Sequence, residues 1–173
     1  MKAAALMIGI VLSGLAPMAQ AQVPPVSASD QLAMLRSADP TVARNKRLVF
    51  DFWRIVFEGG HMDRAPEFMT ESYIQHNPNV GSGRAAFIAT IGKVRKPKPV
   101  APLIKVPVVA ITGDRDIVTV ATVRKVRDSR RPDHIYTMTW FDMFRIEKGK
   151  IAEHWDSSPL WEDGRPLGAE FLP

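Results

Sequence analysis

The stretch that most restricts the fold is residues 39–58. Asp39-Pro40 is a strong helix start, a side-chain acceptor for free amide hydrogens followed by proline at the first helical position, where its missing N–H costs nothing. From there Arg44, Arg47, Asp51, Arg54 and Glu58 recur at spacings of three and four and form one narrow polar stripe. Nearly everything else late in the segment is apolar: Leu48, Val49, Phe50, Phe52, Trp53, Ile55, Val56 and Phe57. A helix wetted along so thin a line must be wrapped by other structure over most of its circumference. Gly59-Gly60 ends it.

The wrapping comes from later in the chain. Residues 103–112 and 117–126 are β-branched runs joined at Gly113-Asp114-Arg115-Asp116, a hairpin signal. A charged loop at 127–133, a long strand at 134–146, a tight turn at Glu147-Lys148-Gly149-Lys150 and a last strand at 151–155 complete an antiparallel meander. Ahead of it lie a short helix at 62–69 with Phe68 and Met69 facing in, an extended segment broken at Asn77-Pro78, and a helix at 84–92 that buries Phe87, Ile88 and Ile91. Residues 93–102, rich in Pro and Lys, are a loop. Helices first and meander after predict an α+β domain, a curved sheet around the long helix.

The termini divide the rest. Met1-Lys2, an apolar run to about Ala16 and Ala19-Gln20-Ala21 have the layout of a secretory signal peptide, residues 1–21. The run is shorter than the roughly 20 apolar residues of a membrane span, so the mature protein is expected to be secreted or periplasmic and free of the membrane. Residues 22–38 read as an N-terminal arm with Leu32 and Leu35 as contacts, 39–160 as the domain, and 161–173, rich in Pro and Gly, as an irregular tail. The chain has no Cys, so packing alone holds it together. Its net charge of +5 is concentrated at 93–98 and 124–131, clusters without interleaved aromatics that read as a solvated rim and not as a nucleic-acid surface.

Chemistry concentrates in the last hairpin. Strand alternation sets Trp140, Asp142, Phe144 and Ile146 on one face, Phe141, Met143 and Arg145 on the other, and Ala152, His154 and Asp156 together on the returning strand. A carboxylate between two aromatics loses hydration, which disfavours its charged form and sharpens it as a base; the alternative is an Asp142 that only ties the sheet with hydrogen bonds. His76, just before Asn77-Pro78, can be aimed by its loop into the hollow as a donor or relay, or can be a satisfied loop histidine. Tyr73 and Gln75 share a face and offer a phenol and an amide, unless Tyr73 is plain core. Asp156 can orient His154 in a relay. His154, Asp156 and His76 also make an adequate metal ligand set, but only His154-x-Asp156 has a motif-like interval, and no metal is assigned. Phe52, Trp53 and Val56 are cavity lining or core. Serine-nucleophile, phosphate-loop and dinucleotide motifs are absent.

Tyr73-Ile74-Gln75-His76-Asn77-Pro78, Gly83-Arg84-Ala85-Ala86-Phe87 and the block from Phe141 to Asp156 together resemble the SnoaL-like branch of the NTF2-like superfamily, over residues 41–156. The resemblance implies a conical barrel, a bent antiparallel sheet wrapped around N-terminal helices with a ligand cavity inside. It further implies cofactor-free polyketide cyclase or isomerase chemistry and a homodimer through the outer face of the sheet. The expected function is general acid–base catalysis of aldol cyclisation or isomerisation on a small, largely apolar carbonyl compound. Asp142 is the expected base, with His76 and His154 as donors; Tyr73, Gln75, Trp53, Phe52, Trp140, Phe144 and Asp156 contact the substrate. The rival reading is a non-catalytic cone that binds a hydrophobic ligand or dimerises as an interaction module.

Overall fold

The computed structural model describes residues 23–128, 131–162, 165–166 and 169–172. The leader expected at 1–21 lies outside the described residues.

Helix α1 (Pro40–Phe52) begins at Asp39, whose Oδ1 accepts the amides of Thr41 at 2.7 Å and Val42 at 3.3 Å. Where the sequence predicts one α-helix to residue 58, the last five residues, Trp53–Phe57, form a π turn closed by the Glu58 N–H on the Trp53 carbonyl at 2.7 Å. Turns of this wider kind recur at functional sites. Here it carries Trp53 and Phe57, packed edge to face at 5.5 Å. Gly60, at φ +76°, then turns the chain where a Cβ would collide with the Lys96 carbonyl.

A 3₁₀ turn, Met62–Arg64, and the short α2 (Ala65–Phe68) lead into strand β1 (Met69–Gln75), and α3 (Arg84–Val94) follows. The meander is β2 (Val108–Asp114), β3 (Ile117–Asp128), β4 (Arg131–Glu147) and β5 (Lys150–Asp156). The β4–β5 turn puts Lys148 and Gly149 at φ +49° and +74°, as a two-residue hairpin loop of the twist-matching kind requires. The sheet runs β1-β5-β4-β3-β2, and β1 joins β5 in parallel, the one departure from an antiparallel order along this path. It is curved and not closed into a full barrel, and β1 and β2 end this path. On its inner face Val118, Val120, Phe144, Ile146 and Ile151 pack with Val49, Phe50, Phe52, Trp53 and Val56 in one buried core, so the helix is wrapped as its thin polar stripe demands.

Three expectations need correcting. The charged loop at 127–133 is mostly strand, since β3 runs on to Asp128 and β4 starts at Arg131. Where the tail is described it is strand and not irregular: β6 (Trp161–Glu162) pairs with β7 (Arg165–Pro166), and β8 (Ala169–Leu172) pairs with β3 at Lys125–Asp128. An unpaired strand edge accepts any extended backbone, and Pro and Gly at the ends of such short strands do not prevent it. In the arm, only Leu35 of the two expected contacts is buried; Leu32 is exposed. The arm is fastened instead by Gln31, whose side-chain amide donates to the Ile104 carbonyl at 2.9 Å and accepts its N–H at 3.0 Å. No helix among the described residues is long and apolar enough to cross a membrane.

Candidate active site

Strand register builds the site. Asp142 on β4 lies directly opposite Asp156 on β5, Phe144 opposite His154, and His154 in turn beside Gln75 on β1. These inward positions line a cavity of about 250 Å³ with Phe52, Trp53 and Phe57 from the long helix and π turn, Tyr73 from β1, Trp140 from β4, and Phe87 and Ile91 from α3. Asp142 is 8 % exposed and His154 7 %, so both polar groups sit in a mostly apolar hollow.

Hydrogen bonding fixes the protons. Gln75 Oε1 accepts the backbone N–H of Asn77 at 3.1 Å. A main-chain N–H only donates, so that atom is the amide oxygen. The same oxygen faces His154 Nδ1 at 2.8 Å, which puts the imidazole hydrogen on Nδ1. The Gln75 amide nitrogen donates to Tyr73 Oη at 2.9 Å, leaving the phenol hydrogen free to serve the cavity. On the far side of the ring, His154 Nε2 lies 3.1 Å from Asp142 Oδ1. With Nδ1 already protonated, two lone pairs would confront each other there unless one more proton lay between them. Asp142 and His154 therefore form a proton-sharing dyad, oriented by Gln75. The other carboxylate oxygen, Asp142 Oδ2, is buried and has no hydrogen-bond partner among the described residues.

Asp156 is held differently. Its Oδ2 accepts Asn77 Nδ2 at 2.8 Å and its Oδ1 the Ser158 N–H at 2.9 Å. The expected relay, with Asp156 orienting His154, is thus replaced by Gln75 in the orienting role, because Gln75 Oε1 faces the ring Nδ1 while the Asp156 oxygens are taken by Asn77 and Ser158. Burial, and after it the Asp156 and Asp142 charges, push the Tyr73 hydroxyl far above its ordinary range, so it stays a neutral O–H donor.

His76 is not where the sequence placed it. Its Nε2 meets Glu153 Oε1 at 2.7 Å, its ring stacks on Trp155 at 5.0 Å, and its side chain is 43 % exposed. Glu153 and Trp155 alternate with His154, so His76 lies on the outer face of the sheet and cannot reach the dyad. The chain break at Asn77-Pro78 turns inward one residue later, and Asn77 is what reaches the site. Phe52, Trp53, Tyr73, Gln75, Trp140, Phe144 and Asp156 all line the cavity.

Two residues that sequence reasoning missed are Arg95 and Arg124, both on the cavity wall and not on a solvated rim. The signal for Arg124 was present. Along β3 the buried Val118, Val120, Thr122 and Val126 share one face, and Arg124 falls in the same alternation. Burial pulls its guanidinium below the ordinary range, the Asp142 charge opposes that, and the like charge of Arg95 adds to it.

The ligand set of His76, His154 and Asp156, to which no metal was assigned, does not come together, because His76 lies on the outer face. Asp142, His154 and Asp156 do offer ligand atoms within 4.8 Å of one another. Both His154 nitrogens, however, are already engaged, Nδ1 with Gln75 and Nε2 with Asp142, so a cation would have to break the dyad to bind. The arrangement suits a shared proton better than a metal.

The sequence profile described as the SnoaL-like domain matches residues 49–154, from the second half of α1 to His154. No curated protein matches significantly. Among solved structures, TsrD from Streptomyces laurentii is similar over 70 % of this chain and 90 % of its own, at 17 % identity and a TM-score of 0.45. A provisionally named polyketide cyclase from Acidithiobacillus ferrooxidans is similar over 70 % and 89 %, at 14 % identity and 0.48. An LEH-like epoxide hydrolase from M. tuberculosis is similar over 65 % and 76 %, at 11 % identity and 0.47.

Proposed function

This chain belongs to the SnoaL-like family, and from that premise we propose that it is a general acid–base enzyme acting on a small carbonyl compound. The observation that carries the reading is the state of Asp142, a residue on the wall of an apolar cavity: one oxygen tied to an oriented histidine, the other buried and unpartnered among the described residues. A carboxylate stripped of water on one side is a base waiting for a proton that only a ligand can bring.

In this reading the Asp142 carboxylate takes a proton from the carbon next to a ligand carbonyl. The C–H electron pair becomes the enolate double bond, and the negative charge that develops on oxygen is met by the free O–H of Tyr73. His154 keeps its proton against Oδ1 and holds the carboxylate in place, while Gln75 holds His154. Return of the proton to another carbon gives isomerisation; attack of the enolate carbon on a second carbonyl of the same molecule gives ring closure, with the proton passed to the new alkoxide. The resident groups suffice for both outcomes.

The reaction can be tested with simple ketones in place of the natural substrate. In D₂O with a panel of small aryl and alkyl ketones, the protein should accelerate deuterium entry at the α-carbon, read by mass spectrometry. Asp142→Asn should lower that rate by roughly 10²–10⁴ with an unchanged circular dichroism spectrum. Exchange at the wild-type rate in the Asn variant would sink the mechanism.

Two further parts of the proposal rest on other features. The leader read at residues 1–21 supports export, to be checked by fractionation. Phe141, 51 % exposed on the outer face of the sheet, supports a homodimer formed through that face, to be checked by sedimentation.

A further inference from the structure

The cavity is polarised along its length. Asp142 and Arg124 are both on its wall, and β4 and β3 register Asp142 against Val120 and Met138 against Arg124. Four residues of extended strand, about 13 Å at the backbone, separate the Asp142 rung from the Arg124 rung. Arg124 thus enters the hollow several rungs along from the two carboxylates, yet near enough for the Asp142 charge to act on its guanidinium. Arg95, at the C-terminal end of α3, lines the same space with its guanidinium over the Phe57 ring at 5.3 Å.

Neither arginine has an ion-pair or side-chain hydrogen-bond partner among the described residues. The nearby acids are otherwise engaged. Asp142 is held by His154, Asp156 by Asn77 and Ser158, and Glu58 by the amides of Lys105 and Val106 at 2.8 and 3.0 Å. Placing two guanidinium groups on the wall of an apolar hollow, close enough to repel each other, is costly unless something negative arrives between them. Arginines that do pair with carboxylates, such as Arg54, Arg64 and Arg145, lie outside this cavity.

We propose that Arg95 and Arg124 bind a carboxylate group of the ligand, so that the substrate is a small keto acid: an acidic end held by the two guanidinium forks, an apolar body against Phe57, Phe87 and Trp140, and the enolisable carbon at Asp142. This rests on reading the cavity as a substrate site and goes beyond it in naming the substrate class. Guanidinium is the side chain whose planar donors match a carboxylate in pairs. A cavity of about 250 Å³ holds only a small body between the two ends, below the roughly 300–1,000 Å³ common for drug-sized ligands.

The probes are 4-oxo-4-phenylbutanoate and its methyl ester, which differ only in the esterified carboxyl. Binding is followed by calorimetry and by quenching of Trp53 and Trp140. The wild-type protein should bind the acid at least roughly tenfold more tightly than the ester, with a preference that shrinks as salt rises. Arg124→Gln and Arg95→Gln should each cut the preference several-fold without weakening the ester. Arg124→Lys, which keeps the charge and loses the fork, should fall between. Equal binding of acid and ester by the wild type, failure of the acid to bind at millimolar concentration, or a full preference in the folded Gln variants would overturn the proposal. Asp142→Asn separates the two readings. If it retains the preference while no α-exchange is found in the wild type, the anion site stands and the base mechanism fails; if the wild type exchanges the ester as fast as the acid, the anion site alone is wrong.

Discussion

The two oxygens of Asp142 live in different surroundings, and the difference yields a stability prediction. Oδ1 shares a proton with His154, whereas Oδ2 is buried with nothing to bond among the described residues. An unsatisfied buried acceptor costs about 1–3 kcal/mol. Asp142→Asn removes the charge but keeps the shape, and thermal melting should show the variant more stable by about 1 kcal/mol, or roughly 2–4 °C for a domain of this size. A fall of similar size would identify the carboxylate as a tie in the sheet and not as a reactive group. Site residues of this kind were legible in the sequence: Trp140, Asp142 and Phe144 share a face by alternation alone. His76 was not, since whether a residue at the end of a strand points in or out depends on which strand it pairs with, and no local pattern records that choice.

Among the elements, α1 owes its start to a single side chain. Asp39 covers two of the free amides of the first turn, and Asp39→Ala should cost about 1 kcal/mol in urea denaturation; a change within a few tenths would mean that burial of the helix fixes its start without the cap. On the outer face, Arg145 ties β4 to β5 and to the β2–β3 turn, donating to Glu153 at 2.8 Å and Asp116 at 3.0 Å. The Arg145 guanidinium, and after it His76, hold the Glu153 carboxyl below its ordinary 4.5. A carboxylate so held contributes stability above its unfolded value and loses that contribution as pH falls through the folded one. Melting temperatures of the wild type and Glu153→Gln should therefore differ above about pH 4.5 and converge below it; a gap that ignores pH would mean the contact works without charge. The helices, the meander and its turns were readable from periodicity and Gly placement. The π turn, the continuation of β3 and β4 into the charged stretch, and β8 were not, because each is stabilised by what it packs or pairs against and not by its own composition.

At the scale of the whole molecule, a thin polar stripe on one helix was enough to require a sheet wrapped around it, and the inner-face alternation was enough to place a carboxylate within. What stayed hidden was the cationic end of the hollow: Arg95 and Arg124 sit in runs of basic residues that resemble ordinary surface until β3 is laid in register. The parallel seam between β1 and β5 decides when the candidate site can form. Gln75 and His154 are 79 positions apart in sequence, and β1 has no neighbour in the sheet until the final hairpin has come round to meet it. A growing chain that has not yet made that hairpin, or one cut between β1 and β4, owns the first strand and the long helix but neither Asp142 nor His154. The dyad and the glutamine that orients it come together all at once, when the ends of that long excursion meet.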